Sequence, residues 1–248
     1  MKVIAITQAR IGSTRFPGKI MSTIKSRSLL SIHIERIKKS KKIDLVIIAT
    51  TDKKDDDIIE YESNKLNVSC FRGEEEDVLD RFYRAAKPYE PTYIVRLTSD
   101  CPLIDYRLID KVIDAALSSD VDYCSNTLIE SYPDGQDVEV FSFRSLEKAW
   151  KEAVLLSDRE HVTPYMKRNL KVLNIHSTNM MFNKVRMTVD EPEDFMVIQR
   201  LVDKLGLDEK WEEYAELYLN DKTISEINNS ITRNEGYMAS VKNDITTG

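Results

Sequence analysis

Short apolar runs alternate with stretches of helical period along the first half of the chain. VIAI (3–6), LVIIAT (45–50), VSCF (68–71), YIVRL (93–97) and VDYCS (121–125) read as strands. Between them, Ser28 to Lys39 places Leu30, Ile34 and Ile37 on one helical face. Asp55 to Lys65 is predicted as a second helix, and Asp77 to Lys87 aligns Val78, Phe82 and Ala85 on one stripe. Tyr106 to Ser118 sets Leu108, Val112 and Ala116 beside Ile109, Ile113 and Leu117. The strands are continuous apolar runs, as strands covered by helices on both faces should be. Regular alternation with short connections predicts an α/β fold: a mostly parallel, Rossmann-like sheet with right-handed crossovers.

The pattern changes after residue 130. DVEVFSF (137–143) alternates, and KVLNIHS (171–177) and VRMTV (185–189) are predicted as further strands. Helices are expected at Ser145 to Ala153, Arg159 to Asn169 and Glu193 to Leu205. Trp211, Tyr214, Leu217 and Tyr218 mark a late helix. The organisation expected is one domain over 1–227, with 130–185 as a small subdomain crossing the sheet, and a polar tail or strap over 228–248.

Ligands of parallel sheets bind beyond the carboxyl ends of the strands. That rule selects the loops 7–19, 51–55, 72–76 and 98–105. Loop 8–19 reads QARIGSTRFPGK and holds two of the chain's seven glycines, Gly12 and Gly18. Glycine lets backbone N–H groups converge on an anion. Arg10, Arg15 and Lys19 add charge-assisted donors for phosphate oxygens. The plainer alternative is a solvated turn, but the position directly after the first strand favours phosphate. The spacing is not that of a Walker A loop, because five residues separate the glycines and Ile20 follows the lysine. It is not GxGxxG either.

Two further loops carry acids. RLTSDCPLID (96–105) places Asp100 at the end of a strand, where it can hold a Mg²⁺ carried by a nucleoside triphosphate, while Asp105 reads as a helix cap. MTVDEPED (187–194) offers Asp190, with Pro192 at a helix start. Each alone is commonplace. Together with a basic glycine loop they are the equipment of phosphoryl or nucleotidyl transfer.

Composition narrows the partners. A net charge of −6 argues against a nucleic-acid backbone as ligand. Cys70, Cys101 and Cys124 are odd in number and form no CxxC, so buried free thiols are expected. No run approaches a membrane span, and the apolar run at 3–6 is too short for a signal peptide. A cytoplasmic protein with no membrane partner is expected.

With these stretches in place, the sequence resembles the cytidylyltransferases that activate acidic sugars, the CMP-sialic acid and CMP-Kdo synthetase superfamily. Its look is nearest to the branch called spore coat polysaccharide biosynthesis protein SpsF. The superfamily signature A-R-x-G-S-x-R-x-P-x-K reads ARIGSTRFPGK here, with Gln8 where Pro usually stands. FRGEEEDVLDRFYRAA, RLTSDCPLID, YPDGQDVEVFSF, SDREHVTPYM, TVDEPEDF and RNEGY carry the similarity along nearly the whole chain.

The resemblance implies a nucleotide-diphospho-sugar transferase fold related to GT-A, CTP as donor, Mg²⁺ as metal and pyrophosphate as product. It implies that Arg10, Arg15 and Lys19 hold the triphosphate, and that Ala9, Gly12 and Ser13 present backbone to the nucleotide. Arg72 would lie near the base, and Asp100 and Asp190 would bind the metal. The acceptor is expected to be an acidic sugar. Arg159, His161, Lys167 and Arg168 cluster in SDREHVTPYMKR, and Asp137 and Glu139 share a strand face for sugar hydroxyls. For these the plainer readings are a packing histidine and a solvated face. The family often dimerises through the middle segment, here 130–185, so a homodimer is implied.

Two other readings stay open. A GT-A glycosyltransferase would use a D-x-D motif, and Asp120 and Asp122 match its letters but sit at a strand start. A non-enzymatic nucleotide-binding module would keep the fold without turnover. A cytidylyltransferase with a phosphorylated acceptor is the nearest variant of the main reading.

Overall fold

A computed structural model describes residues 1–246. The central sheet has seven strands in the order β5-β4-β1-β6-β8-β7-β9. These are β1 (Val3–Gln8), β4 (Leu45–Thr51), β5 (Ser69–Gly73), β6 (Tyr93–Thr98), β7 (Tyr123–Ser125), β8 (Glu139–Ser142) and β9 (Val172–Asn174). Neighbours pair in parallel except at β8, which runs antiparallel to both β6 and β7. The mostly parallel α/β sheet expected from the pattern is what forms. A two-stranded ribbon, β2 (Thr23–Ile24) and β3 (Arg27–Ser28), was not visible in the pattern. Lys25 and Ser26 turn it with φ of 49° and 63°.

Alternate strand residues face two cores. Val3, Ala5, Val46, Ile48, Val95 and Leu97 pack under α1 (Leu29–Ile37), α2 (Asp57–Lys65), α4 (Tyr106–Ser118), α8 (Pro192–Leu205) and α9 (Trp211–Asn220). Ile4, Ile6, Ile47, Ala49 and Ile94 pack against α3 (Val78–Ala86), α5 (Phe143–Glu152) and Met166 of α7 (Pro164–Asn169). The short helices α6 (Leu156–His161) and α10 (Lys222–Ser225) and the terminal α11 (Glu235–Thr246) complete the elements.

The largest departures from the pattern lie after residue 130. VRMTV (185–189) forms no sheet strand. It is an extended crossing tied by a single bridge from Arg186 to Asp134, and by Val189 N–H donating to the Asp100 carbonyl at 2.8 Å. Its apolar residues still enter the core, which is why it reads as a strand. The helix expected over 159–169 is broken into α6 and α7. Pro164 cannot continue a helix, and Val162 turns the chain with a φ of 69°. Strand β8 stops at Ser142, whose hydroxyl accepts from Ser145 N–H and caps α5. Cys101 and Cys124 are buried free thiols, and Cys70 is only half-buried.

Candidate active site

The carboxyl ends of β1 and β6, with the crossing 185–190, open into a cleft of about 1020 Å³. Chain direction diverges here, because β1 leads outward to β4 while β6 lies on its other side. Loop 9–18 is fixed from below. Ile11 N–H donates to Asp56 Oδ1 at 2.8 Å, and Gly18 N–H donates to the Ile11 carbonyl at 3.1 Å. Gly18 adopts a φ of 70°, which a side chain would resist. Buried Ile20 then anchors the single turn Lys19–Met21 and aims Lys19 back into the cleft.

Lys19 lies between the two aspartates singled out in the sequence. Its Nζ is 2.7 Å from Asp190 Oδ1 and 3.9 Å from Asp100 Oδ2. The pairing is enforced by backbone, because the Asp100 carbonyl accepts from Val189 N–H and sets the two loops side by side. Arg15 reaches the same centre, 3.2 Å from Asp190 and 3.2 Å from Glu191. Burial pushes the Asp190 carboxyl up, but Lys19, Arg15 and Arg186 outweigh it and hold the group below the ordinary aspartate value. The result is an ionised carboxylate ringed by cations. Two carboxylates already share a cation here, and their hard oxygens suit Mg²⁺, which keeps few protein ligands and leaves positions for phosphate and water.

Ala9, Arg10, Ser13, Arg15, Lys19, Asp100, Asp137, Glu139, His161 and Asp190 all line the cleft. Lys167 lines it as well, and Gly12, Arg72, Arg159 and Arg168 do not. A Cβ on Gly12 would lie 3.5 Å from Glu75 Oε1. Arg72 is engaged at the sheet edge with Asp57, Glu60 and the carbonyls of Thr51 and Lys53. Arg159 binds Asp77 and the Trp150 carbonyl, and Arg168 binds Asp158. Asp120 and Asp122 contact Lys171 away from the cleft, so the D-x-D letters hold no metal-binding position in it.

Glu139 lines the cleft but is buried, so the plainer reading of a solvated face does not hold for it. It takes Arg96, Lys167 at 2.8 Å, Thr163 at 2.7 Å and Tyr123 at 2.5 Å. Burial raises its carboxyl, and Lys167 and Arg96 more than reverse this, leaving it well below the usual range. Asp137 faces the cleft with one oxygen on Arg233 at 2.7 Å.

Several residues escaped the motif reading. Arg186 is the buried hub: it binds Asp134 at 2.7 Å, Asp190 at 3.3 Å and Asp194 at 2.8 Å. Its only signal in the sequence is a charge inside the apolar run VRMTV. Arg96 repeats that signal inside YIVRL. Gly135 is required by close approach, since a Cβ there would lie 2.6 Å from the Met187 carbonyl carbon.

His33, which carried no usable signal, supports the Asp100 loop from inside. Its Nδ1 lies 2.8 Å from the Cys101 carbonyl and must donate, so Nε2 accepts from Thr7 Oγ1 at 2.9 Å. Burial lowers its pKa from 6.5 to about 4. An unfolded chain therefore takes up a proton between those values that the folded one refuses. Stability from this residue is present above pH 6.5 and lost as pH falls toward 4. The expected loss is about 3 kcal/mol at about 1.4 kcal/mol per unit. Urea midpoints at neutral and acid pH, compared with His33→Gln, check it: that part of the pH dependence should vanish in the variant.

The fold and the charged cleft define a nucleotide-handling transferase, and comparison with known proteins narrows the class. Residues 4–231 match the model of the cytidylyltransferase family, so the chain belongs to that family and is a nucleotidyltransferase. An uncharacterised protein of Methanocaldococcus jannaschii is 43% identical over 215 residues, covering 84% of this chain and 87% of its own. The spore coat polysaccharide biosynthesis protein SpsF of Bacillus subtilis is 36% identical over 217 residues, with 82% and 88% covered. A solved cytidylyltransferase from Leptospira borgpetersenii superposes with a TM-score of 0.86 at 33% identity, covering 94% of this chain and 98% of its own.

Proposed function

We propose that this enzyme moves CMP from CTP to a hydroxyl of an acidic sugar, of sialic, legionaminic or Kdo type, releasing pyrophosphate in the making of a surface polysaccharide. The observation that carries it is Lys19 held between Asp100 and Asp190 at the end of the basic loop. The acceptor oxygen would attack the α-phosphorus in line. The new O–P bond forms as the bond to the β-phosphate oxygen breaks, pyrophosphate leaves with both electrons, and the hydroxyl proton passes to water. Arg10, Arg15 and Lys19 would hold the triphosphate and offset the charge of the leaving pyrophosphate. Ala9 and Ser13 would meet the nucleotide along the same loop.

Asp100 and Asp190 would hold Mg²⁺. Bound there, the ion would supply charge neutralisation at the α-phosphate and a lower pKa for the attacking hydroxyl. His161, Lys167 and Asp137 line the acceptor side and would meet the sugar's carboxylate and hydroxyls. The homodimer through 130–185 and the cytoplasmic location are part of this reading. Among the described residues no helix is long and apolar enough to cross a membrane.

The test is pyrophosphate release with Mg²⁺, run with each common nucleoside triphosphate against sialic, legionaminic, pseudaminic and Kdo acids. Release that needs CTP, Mg²⁺ and one acid is expected. Transfer to a phosphorylated acceptor alone, or preference for another triphosphate, overturns the assignment.

A further inference from the structure

The C-terminal segment begins where the family match ends, at residue 231, and runs straight across the cleft mouth. Arg233 stands at its start. Its Nη2 donates to Asp137 Oδ1 at 2.7 Å and its Nη1 to the Tyr132 carbonyl at 3.2 Å. Nε has no hydrogen-bond partner, with Glu130 and Asp134 3.6 and 3.7 Å away. Asn234 follows with a φ of 63° and donates to Glu130 at 2.8 Å, and Glu235 comes within 3.7 Å of Arg15. The segment thus touches the acceptor side through Arg233 and the triphosphate loop through Glu235.

Beyond that turn, α11 lies on α6. His161 Nε2 is 3.0 Å from Ser240 Oγ, Ser240 donates to Glu160 at 2.7 Å, and Ser157 N–H donates to Asp244 at 3.0 Å. Tyr237 meets the His161 ring edge-on. Among the described residues, no side chain after Ile227 joins either hydrophobic core. A helix held by polar contacts over a cleft, without apolar burial, belongs to the part of a fold that opens locally at small cost.

The other cations near the acceptor side sit on elements of the fold's body. Arg96 and Lys167 neutralise Glu139, and Arg186 is enclosed by three aspartates. Arg233 alone among these four belongs to the detachable segment, and it grips the cleft-facing Asp137. We propose that residues 232–246 are a strap that closes the acceptor side of the cleft and that Arg233 is its latch, a positioning residue that couples closure to seating of the acceptor against Asp137. CTP would take Arg15 from Glu235, which leaves Arg233 as the tie between the segment and the cleft-facing Asp137 for the acceptor to use. The coupling rests on the substrates proposed above; the latch itself does not.

Hydrogen exchange on the full-length protein tests the latch without any substrate. Arg233→Ala should speed exchange across 235–246 by at least about tenfold while β1 and β6 keep their protection. Unchanged exchange there overturns the latch. Kinetics with CTP, Mg²⁺ and whichever acid of the panel reacts fastest test the coupling. Arg233→Ala should raise the acceptor KM by about tenfold or more and the CTP KM by less than about twofold, with part recovered in Arg233→Lys. An equal rise in both constants, or none, overturns the positioning role. If no acid reacts with the wild type, the substrate reading fails, and the exchange result still decides whether Arg233 holds the strap.

Discussion

Asp190→Asn should lower turnover by at least ~10²-fold, the scale of losing one electrostatic stabiliser from a transition state. The carboxylate stands where Lys19, Arg15 and Arg186 converge, at 2.7, 3.2 and 3.3 Å. Asparagine keeps the shape and removes the charge. The centre then carries an excess of positive charge, so CTP should bind without metal at least as well as before. On the proposed reading, what would be lost is the hold on a divalent cation beside the α-phosphate. Fold stability should change little by comparison, because Arg186 keeps Asp134 and Asp194 as partners. The discriminating result is a large fall in pyrophosphate release with calorimetric CTP binding retained. Near-normal turnover would remove Asp190 from the chemistry, and loss of CTP binding would make it a structural partner of the basic loop instead.

Apart from the β2–β3 ribbon, the first half of the fold was legible because its sheet strands begin as short apolar runs and its helices carry an apolar stripe, so period separates them. The legibility falls where local pattern and tertiary path disagree. VRMTV has a strand's composition, but its backbone hydrogen bonds go to Asp134 and Asp100 across the sheet end rather than to a neighbouring strand. SDREHVTPYMKR looks helical throughout, yet Pro164 and the turn at Val162 break it, and Arg159 and Arg168 leave for Asp77 and Asp158. The loop cations and strand-end aspartates were readable because strand ends are where a parallel sheet presents side chains. Their convergence was not, since Lys19 and Asp190 are 171 positions apart and are brought together by the long-range contacts of 187–190 with the Asp100 loop. RNEGY stood out only by resemblance, and the role of Arg233 within it was not readable because its own partners, Tyr132 and Asp137, are about a hundred positions away.

Arg186→Met should destabilise the fold by about 3–5 kcal/mol, the usual result of removing one partner from a buried ion pair. Asp194 has no solvent exposure, and Arg186 grips it at 2.8 and 2.9 Å. The same carboxylate accepts from the backbone N–H groups of Asp190 and Glu191 and from Asn228, so it cannot turn out to water without undoing the start of α8. Losing the guanidinium therefore leaves a buried charge with neutral donors only, and leaves Asp134 with one cation fewer. Burial and Asp137 already raise Asp134 to about 7 against the pull of Arg233 and Arg186, so that group should take up a proton in the variant. The double change Arg186→Met with Asp194→Asn should cost clearly less than the two single changes added, because removing both charges relieves the penalty that either alone creates. Urea unfolding of the three variants measures this. A single-variant loss under about 1 kcal/mol, or simple additivity, would mean the pair is not the clamp. If the clamp holds, one arginine fixes the α8 cap and the Asp190 carboxylate together, and the geometry of the catalytic cleft is set by the same contact that stabilises the fold.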